Sequence, residues 1–183
     1  VVPGGGVVEY EVTLEPTEKR YLVVLDLPLE APEGSRLLAD ASVVVPARVD
    51  RLRRYTARAA TQGRLGNPLS EGLRRLATRQ PADANPRTQA LARQWRAEAG
   101  DDDVAIVRRA LQWIESDFSY SLTVPPTGRN AVDEFLFETR VGFCQHYSSA
   151  FASLMRAAGI PTRVVLGYAG GYKNPYADYW SVR

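Results

Sequence analysis

The chain of 183 residues has one cysteine, Cys144, and one histidine, His146. A single cysteine excludes any internal disulfide, so cysteine usage says nothing of the redox compartment. One Cys and one His also fall short of the four ligands of a structural zinc site. Lysine is nearly absent: only Lys19 and Lys173 occur, and arginine carries almost all of the positive charge, a bias we read as genome composition rather than mechanism. No run approaches the ~18 apolar residues that would span a bilayer, and nothing resembles a signal peptide. Val1 stands where a Met would begin a chain, and Arg183 closes an apparent strand without turn or cap. A piece of a longer protein is the expectation, with any targeting information elsewhere.

What is present is enough for a packed core, at 45% hydrophobic and 24% charged residues. The first third alternates with period two. VVEYEVTLEP puts Val8, Tyr10, Val12 and Leu14 on one face and Glu9, Glu11 and Thr13 on the other. RYLVVLDLP and RLLADASVVVP continue in that style around the turn-rich APEGS, and RRYTARAAT is a weaker fourth strand. These features predict a small β-sandwich or barrel-like module over residues 1–62. Residues 63–84, rich in Gly, Pro and Asn, read as a linker holding a short helix.

Residues 48–79 carry nine arginines against Asp50 and Glu71. Such a patch could draw nucleic acid or anionic lipid. Tyr55 is its only aromatic residue, so the base-stacking surface of a nucleic-acid groove is missing. A solvated basic face is the plainer reading, and a membrane-facing role the better of the sharp ones.

Helices dominate from residue 85. Asn85 is placed to cap, and Pro86 to open, a segment running through Leu91, Trp95 and Ala99. The acidic run 101–103 reads as a helix N-terminus rather than a metal site. The next helix puts Val104, Val107, Leu111, Ile114 and Phe118 on one stripe, leaving Trp113 to pack on another element or line a cleft. SLTVPPTGRN then turns into a short helix, AVDEFLFET.

The chemistry concentrates in GFCQHYSSAFASLMRAAGIPTRVVLGY, residues 142–168. Tyr147, Phe151, Leu154 and Ala158 recur at helical spacing, Gly159 suits the C-terminal turn, and Pro161 stops the helix. TRVVLGY reads as a buried strand. Cys144 then falls in the first turn of a central helix, where free N–H groups and the helix dipole favour a thiolate and can receive an oxyanion. An isolated cysteine is otherwise a small buried hydrophobe. His146 is not its base, since two residues along a helix rotate the side chain by about 200°. It reads as a packed, hydrogen-bonded histidine, and a base of the Cys–His type has to come from elsewhere.

The stretch GFCQHYSSAFASLMRAAGIPTRVVLGYAGG resembles the active-site segment of the transglutaminase-like superfamily, and within it the membrane-anchored periplasmic TgpA-type bacterial members. The likeness extends back through VDEFLFETRVGFC and DFSY, and EYEVTLEP and YLVVLDLP match the strand-rich segment that precedes the core in that subgroup. It implies an α+β chain in which a small antiparallel β module precedes the first part, residues 85–183, of a papain-like core. It also implies a Cys-His-Asp triad with Cys144 as nucleophile. The His and Asp are expected on strands following DYWSVR, after the chain has stopped, so the chain alone should be inactive. The implied reaction passes a glutamine side-chain acyl group through a thioester to a lysine amine of a protein or peptide. The implied setting is an extracytoplasmic domain of an inner-membrane protein, with no cofactor, no metal and no nucleic acid.

A second oxyanion donor would come from Trp113, Tyr120 or Asn130, while Tyr168 and Trp180 could line the acyl or amine side. Packing or capping is the default role of each. Two other functions stay open: a thiol hydrolase acting on peptides or cell-wall material, and a non-catalytic interaction module with a relic core. Absent strands would leave the edge of residues 162–183 open to pairing or dimerisation.

Overall fold

The computed structural model describes residues 2–64, 69–168 and 170–182. Residues 65–68 of the expected linker, and the strand end at Arg183, lie outside the described residues. The chain divides into two compact units, Val1–Pro68 with Ala169–Arg183, and Leu69–Tyr168.

The first unit is built on a two-stranded antiparallel ribbon, β2 (Val7–Leu14) against β6 (Arg53–Ala60), in register from Val7↔Ala60 to Leu14↔Arg53. The period-two pattern sets its faces: Val8, Tyr10, Val12 and Leu14 turn inward, and Glu9, Glu11 and Thr13 stay exposed. RRYTARAAT, the weaker strand on sequence, proves as long as β2. Its inward residues are Tyr55, Ala57 and Ala59, so the alternation holds as far as Ala59, with Ala60 buried as well, although the hydrophobicity is modest. Arg54–Glu11 (3.5 Å) and Arg58–Glu9 (3.9 Å) cross the outer face.

Before β2, β1 (Val2–Pro3) pairs with β7 (Gly63–Arg64). Three two-residue strands, β3 (Tyr21–Leu22), β4 (Arg36–Leu37) and β5 (Val43–Val44), form a second small sheet in the order β3-β5-β4. Leu14, Leu22, Val43, Val45, Val49, Tyr55 and Ala57 make the core. Two phenols tie the layers: the Tyr55 hydroxyl donates to the Val23 carbonyl (2.6 Å), and the Tyr10 hydroxyl accepts the Leu25 N–H (2.7 Å).

The second unit is helical: α1 (Glu71–Thr78), α2 (Pro86–Ala99), α3 (Asp103–Asp117), α4 (Ala131–Glu134) and α5 (Cys144–Ala157). Between α3 and α4 lies β8 (Ser119–Tyr120), and a π-helical turn, Phe135–Thr139, leads from α4 to β9 (Val141–Gly142). The central helix is α5, as its small-residue face predicts. Ala150, Ala152, Leu154 and Met155 are buried along it, and α1, α2, α3 and α4 all pack on it. It ends in a Schellman motif: Gly159 at φ +79° donates to Arg156 and Ile160 donates to Met155, satisfying carbonyls of the last turn. In the first unit, the hairpin β10 (Tyr172–Lys173) with β11 (Trp180–Ser181) completes the described elements.

Three expectations are corrected. The buried side of α3 is Ile106 and Ala110, with Val104 and Leu111 about half exposed. Both stripes share the helical period; Ala110 wins because its small side chain lets α3 approach the Leu154–Met155 face of α5. Residues 162–168 are not a buried strand: Val165 is 81% and Leu166 91% exposed. A strand needs a neighbour to complete its ladder, and none pairs with this segment among the described residues.

The third correction concerns Asn85. It precedes α2 but does not cap it with its side chain; its Oδ1 accepts from Val132 and Asp133 at the start of α4 (3.2 and 3.3 Å). Asp133 in turn accepts from the Arg87 and Thr88 N–H groups of α2 (2.9 and 2.8 Å) and from the Thr88 hydroxyl (2.5 Å). The two helices exchange caps because their N-termini meet, and the distant acceptor reaches the free N–H groups where the local one does not.

Candidate active site

Three short pieces of backbone place Cys144. The β8 strand runs parallel to β9, with Ser119 opposite Val141 and Tyr120 opposite Gly142. The Ser119 N–H donates to the Arg140 carbonyl (2.9 Å) and the Ser121 N–H to the Gly142 carbonyl (2.8 Å). Phe143 follows in extended conformation as the N-cap, and Cys144 is the first residue of α5. Its thiol is free and exposed. The N–H groups of Cys144 and Gln145, two of the four that a helix start leaves unpaired, bond no acceptor among the described residues. A negative oxygen beside the sulfur would find them waiting.

Gly142 sets the approach. A Cβ there would lie 2.7 Å from a ring carbon of Phe135 and 2.8 Å from Cβ of His146, so only glycine lets β9 pass between them. His146 is half-buried. Its Nδ1 accepts the Phe143 N–H (3.4 Å) and its ring sits edge-on to Phe143 at 4.4 Å between centroids. It thus caps the helix that carries the cysteine, the packed and hydrogen-bonded role read for it from sequence.

Behind the cysteine stands an aromatic cluster. Phe135, fully buried, meets Tyr147 (5.1 Å between centroids), Phe118 (5.2 Å) and His146 (5.7 Å). Tyr147 lies one helical turn after Cys144, and Tyr120 stacks against it at 6.2 Å and 20°. Burial, with the nearby Tyr120 phenol second, pushes the Tyr147 hydroxyl above its ordinary pKa.

The other sequence candidates fall in different places. Trp113 packs edge-on to Trp95 (5.9 Å) and Phe118 (5.2 Å) in the core of the helical unit. Asn130 accepts the Asn85 N–H (2.8 Å) through Oδ1, joining the cap exchange. Tyr168 is 48% exposed at the end of the unpaired segment. Trp180 is exposed on β11, in the first unit. Tyr120 alone of these is drawn to Cys144, through the β8–β9 pairing and Tyr147. Asp133 and Tyr147 were not singled out on sequence. A carboxylate inside AVDEFLFET was a signal for the first, while nothing local marked the second as more than a core residue.

A groove of about 730 Å3 in the first unit, lined by Glu9, Glu11, Glu30, Arg54 and Arg58 among others, does not include Cys144. Its charges neutralise one another through the ribbon's ion pairs and Arg58–Glu30 (3.3 Å). No helix of the described residues is long and apolar enough to cross a membrane.

Comparison with known proteins gives the chain its family. The family profile of the transglutaminase-like superfamily matches residues 89–182, and that of the TgpA N-terminal domain matches residues 1–65. The chain belongs to the transglutaminase-like superfamily. It is 36% identical over 176 residues to the protein-glutamine gamma-glutamyltransferase of Pseudomonas aeruginosa, covering 96% of this chain and 26% of that one. A shorter stretch of 55 residues is 49% identical to the Bacillus subtilis protein YebA, covering 30% of this chain and 8% of that protein.

Among solved structures, the periplasmic domain of TgpA from P. aeruginosa superposes with a TM-score of 0.90 at 36% identity, over 98% of this chain and 62% of that one. Its ethylmercury-bound form gives 0.90 at 32% identity, over 99% and 65%. The fold is therefore the α+β arrangement expected of a transglutaminase-like TgpA periplasmic domain. The chain spans about a quarter of the length of the curated transferase and about two thirds of the solved domain.

Proposed function

We propose that this transglutaminase-like chain carries the nucleophile of a cysteine acyl transferase that works on glutamine side-chain amides outside the cytoplasm. The observation that supports it most is the exposed Cys144 thiol at the start of α5, beside two unpaired N–H groups. The thiolate attacks the amide carbon, and the carbonyl oxygen takes the negative charge facing those N–H groups. As the tetrahedral intermediate collapses, the C–N bond breaks, the nitrogen takes a proton from an acid group, and ammonia leaves a thioester on Sγ. A lysine amine then attacks the thioester carbon, yields its proton to the same group, and releases the thiolate with an isopeptide bond formed. Water in place of the amine gives deamidation.

The acid–base group is an imidazole other than that of His146, whose Nδ1 is taken by the Phe143 N–H. A reaction of the Cys–His type would take it from polypeptide outside these 183 residues, since His146 is the only histidine among them. The solved relative is a periplasmic domain, which supports a periplasmic setting for this chain, and we propose that its parent protein is anchored in the inner membrane.

The test is incorporation of a fluorescent amine into a glutamine-bearing protein by a form extended past Arg183. Transfer is expected, and Cys144→Ala abolishes it. Hydrolysis without incorporation would instead indicate a thiol hydrolase. For the chain as it stands, no turnover is expected, while ethylmercury should bind with a stoichiometry of one, at its only thiol.

A further inference from the structure

Around Cys144 the chain is unusually poor in charge. Residues 118–128, FSYSLTVPPTG, and 141–155, VGFCQHYSSAFASLM, contain no Asp, Glu, Lys or Arg, in a sequence that is 24% charged. The β8–β9 pairing joins these two segments, setting Tyr120 opposite Gly142, two residues before the nucleophile. Helical side chains lean toward the N-terminus, and Tyr147 stands three residues after Cys144 on a neighbouring part of the α5 surface. Tyr120 stacks on Tyr147 yet is 65% exposed, and Leu122 beyond it is 77% exposed. An uncharged, partly aromatic surface therefore adjoins the helix start that carries the reactive sulfur. Depletion of charge with enrichment of tyrosine marks the centre of recognition surfaces.

We infer that Tyr120, backed by Tyr147, is a specificity platform that holds an apolar or aromatic side chain flanking the reactive glutamine of the acyl donor. This rests on the acyl-transfer reading above, and it makes Tyr120 a binding residue through its ring rather than an oxyanion donor through its hydroxyl. A charged flank would lose water there without gaining a partner.

The test uses the 183-residue chain and needs no turnover. Cys144 is alkylated by iodoacetamide and by its N-benzyl and N-(2-aminoethyl) derivatives, and each rate is divided by that of the same reagent with N-acetylcysteine. The benzyl reagent is expected to be favoured by about fivefold, the scale of an aromatic contact. Tyr120→Ala should remove the preference and Tyr120→Phe should keep it. Leu122→Ser, on the exposed loop, should reduce it partly with the fold intact by circular dichroism. Four results would overturn the proposal: no benzyl preference in the unaltered chain, a preference that survives Tyr120→Ala, equal loss in Tyr120→Phe, or preference for the aminoethyl reagent. Because these ratios do not involve acyl transfer, a failed amine-incorporation assay with an intact benzyl preference would sink the enzymatic reading and leave the platform standing.

Discussion

At the scale of single residues, Gly142 and Cys144 belong together. The glycine is held by packing, with Phe135 and His146 filling the space a Cβ would need. Gly142→Ala is expected to destabilise the protein by about 1–3 kcal/mol, seen as a lowered thermal midpoint, and to slow alkylation of Cys144 as β9 shifts. Much of this was legible in the order of residues. A lone cysteine after a glycine, followed by helical spacing and closed by Gly159 and Pro161, already placed the thiol at a helix start. The identity of its neighbours was not legible, because Tyr120 reaches the site through a two-rung parallel ladder that no local pattern announces. Trp113 and Asn130 show the converse: aromatic or polar residues of suggestive type, spent on packing and on a cap.

At the scale of elements, type was easier to read than face or partner. The strict alternation of β2 and the termini of α5 follow from short-range rules and held. The inward side of α3 depended on how closely α5 could approach, which Ala110 decides and hydrophobicity alone does not. The absence of a strand at 162–168 depended on a missing ladder partner. Most instructive are α2 and α4, whose caps are exchanged across 45 or more residues of sequence. Asp133→Ala would strand two N–H groups and a hydroxyl in the interior, at about 2–4 kcal/mol. Asn85→Ala, whose two bonds are longer and less enclosed, should cost about 1 kcal/mol. Urea unfolding of both variants measures the difference, and equal losses would contradict the exchange.

At the scale of the whole molecule, each unit has its own core, and the pKa of a phenol is raised in each, Tyr10 in the first and Tyr147 in the second. In the first, burial pushes Tyr10 up against the smaller opposing effect of the Leu25 N–H; in the second, burial pushes up Tyr147. A raised folded-state pKa means tighter proton binding when folded. The stability from each phenol is therefore complete below the ordinary tyrosine value of about 10 and lost as pH rises through the folded value. Stability measured from pH 8 to 11 should fall, and Tyr10→Phe should flatten its own share of that fall while leaving the share of Tyr147. The β10–β11 hairpin groups with the N-terminal strands although the chain places it last. The cap exchange finally bears on time as well as energy. Neither helix start is complete until the chain between residues 85 and 133 has closed, and closing such a loop is a late event with an entropic toll. Removing Asp133 should therefore quicken unfolding and leave the refolding rate almost unchanged, which makes that one carboxylate a clasp that governs how long the folded helices stay together.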